Sequence, residues 1–195
     1  MKSSTAAVTS RSNMDTYATV RDAFYSGQFD FTGDAQTIRD IAFLIDQKDL
    51  ELRIFPIATK AAYQKELSNL ENPTRAHDAA GGSNEHIALK LLTAKYLKNE
   101  RGRGSRYEYP LCGYYPDVVT IDGLIVAECG HTHNAEKMLA YFRQSAIEEC
   151  ILIPYPDPDG EEVLGYSFTA SEGLCDFLAF WESEKHAKLR KKFKR

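Results

Sequence analysis

This chain of 195 residues contains no hydrophobic run long enough to span a membrane, and its first residues lack the apolar core of a secretory signal. No membrane partner is therefore expected. Cysteine is sparse: Cys112, Cys129, Cys150 and Cys175 are scattered without a C-x-x-C pair, and Cys129 and Cys150 fall inside apparent strands. That usage argues against a disulfide framework and for buried, reduced thiols in a cytoplasmic protein. No Gly-rich phosphate loop follows a strand, and G-x-S-x-G and dinucleotide fingerprints are missing, which removes support for a nucleotide-dependent or serine-hydrolase enzyme. The lone Trp181 lies with Phe177 and Leu178 at helical spacing and reads as helix core. There is no internal repeat.

Positive charge is scarce except at one end. Lys and Arg number 24 against 28 Asp and Glu, and residues 185–195 (KHAKLRKKFKR) hold seven of the 24 with no acid. The rest of the chain keeps 17 basic residues against 28 acidic ones. An acidic body with a basic tail excludes a sequence-reading transcription factor, and leaves room for phosphate contacts by a few basic segments.

What is present suits one globular domain with appendages, since 43% of the residues are hydrophobic. Residues 1–12 read as a disordered Ser/Thr/Ala-rich terminus. Residues 13–82 read as an extension, mainly helical with one strand. Asn13 or Asp15 caps a first helix to Tyr25, and Asp34 opens an amphipathic helix with Ile38, Ile41, Ala42 and Ile45 on one face. LELRIFPI (50–57) alternates and ends in Pro56, the pattern of an edge strand. Thr59 caps a helix to Leu70, and 72–82 is loop.

Residues 83–184 form the core domain, followed by the basic tail 185–195. Ser83 or Asn84 caps a strong helix in which Glu85, Leu89, Leu92 and Tyr96 share a stripe, so Glu85 is expected to face inward. Lys95, Lys98, Arg101, Arg103 and Arg106 then crowd a glycine-containing loop suited to phosphate. SRYEYPLCG supplies a strand. A helix over 134–147 turns Met138, Leu139, Phe142 and Ala146 inward. ECILIPYP (149–156) reads as a strand buried on both faces, and VLGYSF as another. The predicted order is α-β-β-β-α-β, with a further strand and helix.

The chain is organised around YYPDVVTIDGLIVAECGHTHNAEK (114–137). PDVVTI and LIVAEC flank Asp122-Gly123, a strong hairpin turn. Alternation places Leu124, Val126, Glu128 and Gly130 on one face and Ile125, Ala127 and Cys129 on the other. The hairpin brings Asp117 and Glu128 together, and carboxylates on such apolar strands require a metal, a lysine or an arginine beside them.

These residues resemble the PD-(D/E)XK nuclease superfamily, the restriction-endonuclease-like fold. Pro116-Asp117 matches its PD, Glu128 its strand acid, and Glu85 an additional acid on the first core helix, over residues 83–155. The resemblance implies an α/β (α+β) fold with a mixed central sheet flanked by helices, and a hydrolase: a Mg²⁺- or Mn²⁺-dependent endonuclease acting on nucleic acid, DNA ahead of RNA. It also implies a homodimer, since nucleases of this fold often pair to cut two strands. Asp117, Glu128, the carbonyl oxygen of Cys129 and Glu85 would hold the metal. The family lysine is replaced by Gly130; Lys137, in the first turn of the next helix, takes its place, with His131 and Lys90 as alternatives. Arg101, Arg103, Arg106, Lys90 and His131 would contact nucleic acid.

Two other readings follow from the same residues. Gly130 suits a nuclease fold that binds nucleic acid or a protein without cutting. Cys129, His131 and His133, with Cys112 as a fourth, offer ligands for a zinc-binding protein.

Overall fold

The computed structural model describes residues 30–33, 35–71, 81–144 and 146–174. The terminus 1–12, the helix from Asn13, the Trp181 helix and the basic tail lie outside these residues. The described chain is mixed α/β: β1 (Asp30–Thr32), α1 (Ala35–Asp46), β2 (Leu50–Thr59), α2 (Lys60–Leu70), α3 (Asn84–Asn99), β3 (Ser105–Tyr107), β4 (Val118–Thr120), β5 (Ile125–Cys129), β6 (Thr132–Asn134), α4 (Ala135–Gln144), β7 (Glu149–Ile153) and β8 (Glu162–Ala170).

Six strands form one mixed sheet in the order β2-β8-β7-β5-β4-β3. β3, β4 and β5 pair antiparallel, whereas β5 and β7, joined through α4, pair parallel. β1 and β6 make a separate parallel pair. The two faces of the sheet divide the core. Val126, Cys150 and Leu152 pack with Ile41 of α1 and with Met138, Leu139 and Phe142 of α4. Ile125, Ala127, Cys129 and Ile151 pack with Tyr63 of α2 and with Leu89, Leu92 and Leu97 of α3. As the alternation in the sequence reads, β5 carries Val126 to one helix layer and Ile125, Ala127 and Cys129 to the other. Leu124, in the turn before β5, packs with the second layer and not with Val126.

Local chemistry sets most boundaries. Thr59 caps α2 by accepting from the Ala62 N–H, and Ser83 caps α3 by accepting from the His86 N–H. β7 is buried at all five positions, as its unbroken apolar run requires. β2 lies at a sheet edge, yet it continues through Pro56 to Thr59 with a register shift between Pro56 and Ala58. An edge strand tolerates the missing N–H there because that side has no partner strand.

Other boundaries differ from expectation. The β4–β5 strands stop at Thr120 and resume at Ile125, so the turn spans four residues and not two. Asp122 Oδ1 accepts from the Leu124 N–H and the Thr120 hydroxyl, and Gly123 adopts φ 72°, so Asp122 closes the loop through its side chain. α4 ends at Gln144, and Ala146 beyond it is exposed, not inward. No helix among the described residues is long and apolar enough to cross a membrane.

Candidate active site

Asp117 directly precedes β4. The pairing Val118↔Ala127 and Val119↔Val126, continued by one residue, sets Asp117 opposite Glu128. Cα atoms of directly opposed antiparallel residues lie about 4.5–5.5 Å apart. The hairpin thus brings two acids together at the C-terminal end of β5.

Each acid is met by a pair of side chains one helical turn apart. On α3, His86 Nε2 lies 2.9 Å from Asp117 Oδ1, and Lys90 Nζ lies 3.5 Å from the same oxygen. Asp117 Oδ2 accepts from the Cys129 N–H at 2.7 Å. On α4, Lys137 Nζ donates to Glu128 Oε2 at 2.7 Å and the Tyr141 hydroxyl donates to Oε1 at 2.6 Å. Asn134 Oδ1 accepts from the Lys137 N–H at 2.6 Å, as an N-cap does, and so fixes where in the first turn the lysine falls. Lys137 also reaches the carbonyl of Tyr115, at 3.4 Å.

The two carboxylates differ in proton affinity. Burial pushes Asp117 up, but hydrogen bonds from His86 and the Cys129 N–H, with the charge of Lys90, hold it on balance below the ordinary carboxylate range. Glu128 lies above that range: burial raises it most, Asp117 adds to the rise, and Lys137 and Tyr141 offset only part of it. Two acids of unequal affinity facing each other is an arrangement that concentrates at functional sites.

Lys90 is almost wholly buried and is shared among Glu108 at 2.5 Å, the Gly81 carbonyl at 3.1 Å and Asp117. Glu108 holds φ 45°, a left-handed conformation that costs a non-glycine residue of order 1 kcal/mol. Its contact with Lys90 helps offset that cost.

Several expected site residues stand elsewhere. Glu85 is exposed, where the stripe predicted it inward; its carboxyl is held low by its own backbone N–H and by Ser83. The first turn of α3 offers His86 to the acids, because the stripe that reaches Asp117 is His86 and Lys90, one position on from Glu85. Arg101 and Arg103 follow the far end of α3, about 24 Å along the helix axis from its start at 1.5 Å per residue. There Arg101 binds Glu149 and Arg103 binds Asp122. Arg106 lies over the Tyr109 ring, 4.9 Å from its centroid.

Gly130 adopts φ 107°, so a lysine at the motif position would be strained. A Cβ added there would lie 3.8 Å from His86 Nδ1 and from Tyr155 Cε2, so the space beside it borders His86 and not Lys137. Cys129 packs toward α3 with its sulfur 3.8 Å from the Thr93 hydroxyl, and burial pushes its thiol pKa well up. His131 is exposed against Tyr155, and His133 is buried near Phe31. Among the described residues no three His, Cys, Asp or Glu side chains gather to hold a metal, so the zinc trio is not assembled. Cys112 and Cys150 are free thiols, like Cys129.

No protein-family model, curated protein or solved structure matches this chain. The chemistry must therefore be argued from the site. His86 and Tyr141 escaped the sequence reading, although the i, i+4 spacings His86/Lys90 and Lys137/Tyr141 are visible in it.

Proposed function

We propose that the protein is a divalent-cation-dependent nuclease with a restriction-endonuclease-like core, hydrolysing phosphodiester bonds in nucleic acid, DNA ahead of RNA. The observation that carries this reading is the opposition of Asp117 and Glu128 with the Lys137 amino group 2.7 Å from Glu128. The order α3-β3-β4-β5-α4-β7, with antiparallel β4/β5 and parallel β5/β7, supports it too.

The residues fit a hard cation. Each carboxylate offers about four acceptor positions, of which the contacts above use three on Asp117 and two on Glu128. Asp117 and Glu128 would hold Mg²⁺ or Mn²⁺ with the Cys129 carbonyl, and His86 would remain on Asp117. When bound, the ion supplies Lewis-acid polarisation of a phosphate and a water of lowered pKa. Lys137 supplies positive charge and hydrogen bonds where charge develops on the phosphate, and Tyr141 holds Glu128 in place beside it. Lys90 and His86 keep Asp117 ionised.

A cleavage screen over DNA and RNA substrates in Mg²⁺ and in Mn²⁺ tests the proposal. Asp117→Ala and Glu128→Ala should each reduce cleavage at least a thousandfold with the circular dichroism spectrum retained. Full activity in either variant overturns it. A second reading, a non-cutting binding protein, is favoured by the cation that each acid already has; wild-type binding to nucleic acid without cleavage in either metal would establish it.

A further inference from the structure

Beyond the carboxylates, the C-terminal ends of β5 and β7 border a cavity of about 630 Å³. Its size is in the range of small-ligand sites. We propose that this cavity receives one unpaired nucleobase of the strand held at Asp117 and Glu128, so that the site takes single-stranded nucleic acid and favours bases bearing an amino group. The inference rests on the nuclease reading for the identity of the strand.

Four observations carry it. Part of the lining is apolar and conformationally restricted: Pro154, Pro156 and Pro158, with Tyr155 and Tyr166. The charge is wrong for phosphate. Asp157, Glu161 and Glu162 line the cavity, among the described residues no Lys or Arg does, and the nearby Lys60 amino group is committed to the carbonyls of Asp157 and Pro158. An anionic group is therefore disfavoured there, and an occupant gains by donating hydrogen bonds, since carboxylates only accept. Adenine, cytosine and guanine carry such amino groups, whereas thymine presents a carbonyl at the corresponding edge.

The cavity also adjoins the acids. Tyr155, in its wall, and His86, on Asp117, both lie within 4 Å of the position a Cβ would take at Gly130, so one residue separates the cavity wall from the Asp117 contact. His131 meets the Tyr155 ring edge-on at 4.9 Å, an aromatic pair at the mouth of the cavity. On the β4 side Tyr115, next to Pro116-Asp117, is 65% exposed while its carbonyl accepts from Lys137. A large aromatic ring left in solvent beside paired acids suits base stacking, which tolerates every base. A duplex would have to extrude a nucleotide to fill the cavity, whereas a single strand need not.

The test measures fluorescence anisotropy of labelled dC12, dA12, dT12 and a 12-base-pair duplex with the full chain in Ca²⁺, a hard cation that takes the same oxygen ligands. Single strands should bind at least tenfold tighter than duplex, with dC12 and dA12 ahead of dT12. His131→Ala and Tyr155→Leu should each weaken dC12 binding fivefold or more without changing duplex binding. Equal or tighter duplex binding, or unchanged dC12 binding in His131→Ala, overturns the inference; His131 is exposed, so that variant does not depend on core packing. Hydrolysis of bis(4-nitrophenyl) phosphate in Mn²⁺ involves no base and reads the carboxylates separately. Hydrolysis without single-strand preference removes the cavity assignment alone, and preference without hydrolysis removes the nuclease reading alone.

Discussion

The two ends of the central sheet each bury acid, and they treat it differently. At the N-terminal ends of β5 and β7, Glu149 stands alone. Arg101 binds both its oxygens, at 2.5 and 3.3 Å, and the Ser167 hydroxyl donates to it at 2.6 Å. One acid meets one fork of matching geometry, which ties the loop after α3 to β7 and β8. At the other end two acids face each other, and their partners are point donors from two separate helices. Glu128 rises above the ordinary carboxylate range despite Lys137, because burial and Asp117 act against it. A matched pair holds a fold together. An opposed pair of acids stores unfavourable charge, and that is what a cation or a phosphate-bound ion would relieve.

The sharpest way to break this contrast is at the lysines and arginines. Lys137→Ala should lower metal-dependent cleavage per folded molecule about a hundredfold or more, the usual scale for one positioned proton-transfer or charge-stabilising group. Because it leaves Glu128 buried without its cation, it should also cost about 3 kcal/mol of stability. An unchanged single-turnover rate would move the role to Lys90 or His131. Arg101→Ala should cost stability and leave the chemistry alone. It leaves Glu149 buried without its fork, and should cost about 2–3 kcal/mol in urea denaturation, toward the low end for a broken buried pair because Arg101 is one-third exposed. Cleavage per folded molecule should be unchanged.

Acid stability sharpens the same contrast. Burial, the largest cause, pushes His133 down to about 4 from its ordinary 6.5. The unfolded chain therefore binds the extra proton first. The contribution is complete above pH 6.5 and is lost as pH falls through 6.5 toward 4, by up to about 3 kcal/mol. His133→Phe should flatten that limb of a stability–pH curve, and an identical curve would remove His133 as its source. The smallest effect concerns Gly130. Gly130→Lys restores the family spacing but forces a side chain onto φ 107°, at about 1–2 kcal/mol. It should not rescue Lys137→Ala, because the space at Gly130 opens toward His86 and Tyr155.

Much of the architecture was legible. The alternation along β5, the caps at Thr59 and Ser83, the edge position of β2 and the unbroken burial of β7 follow from local rules that a single sequence displays. The opposition of Asp117 and Glu128 was legible for the same reason: strand parity and hairpin length are properties of adjacent residues. Lys137 was legible as a first-turn residue of the helix that follows β5 and β6; the Asn134 cap that fixes its place there came from the structure. Glu85 was misread as inward because a one-position rotation on a helix turns the face by about 100°, and only packing against the sheet selects which face turns in. Arg101 and Arg103 read as phosphate contacts because they crowd a glycine-containing loop, although a 16-residue helix carries that loop to the other end of the sheet.

By itself, then, the sequence determined periodicity, caps, strand parity and the pairing of two acids, all of which depend on neighbours within a few residues. Tertiary structure decided which helix faces meet those acids. It brought His86 from α3 and Tyr141 from α4 onto carboxylates 31 and 13 residues away. It also set the unequal proton affinities of Asp117 and Glu128, since desolvation depends on everything packed around a group and not on its neighbours along the chain.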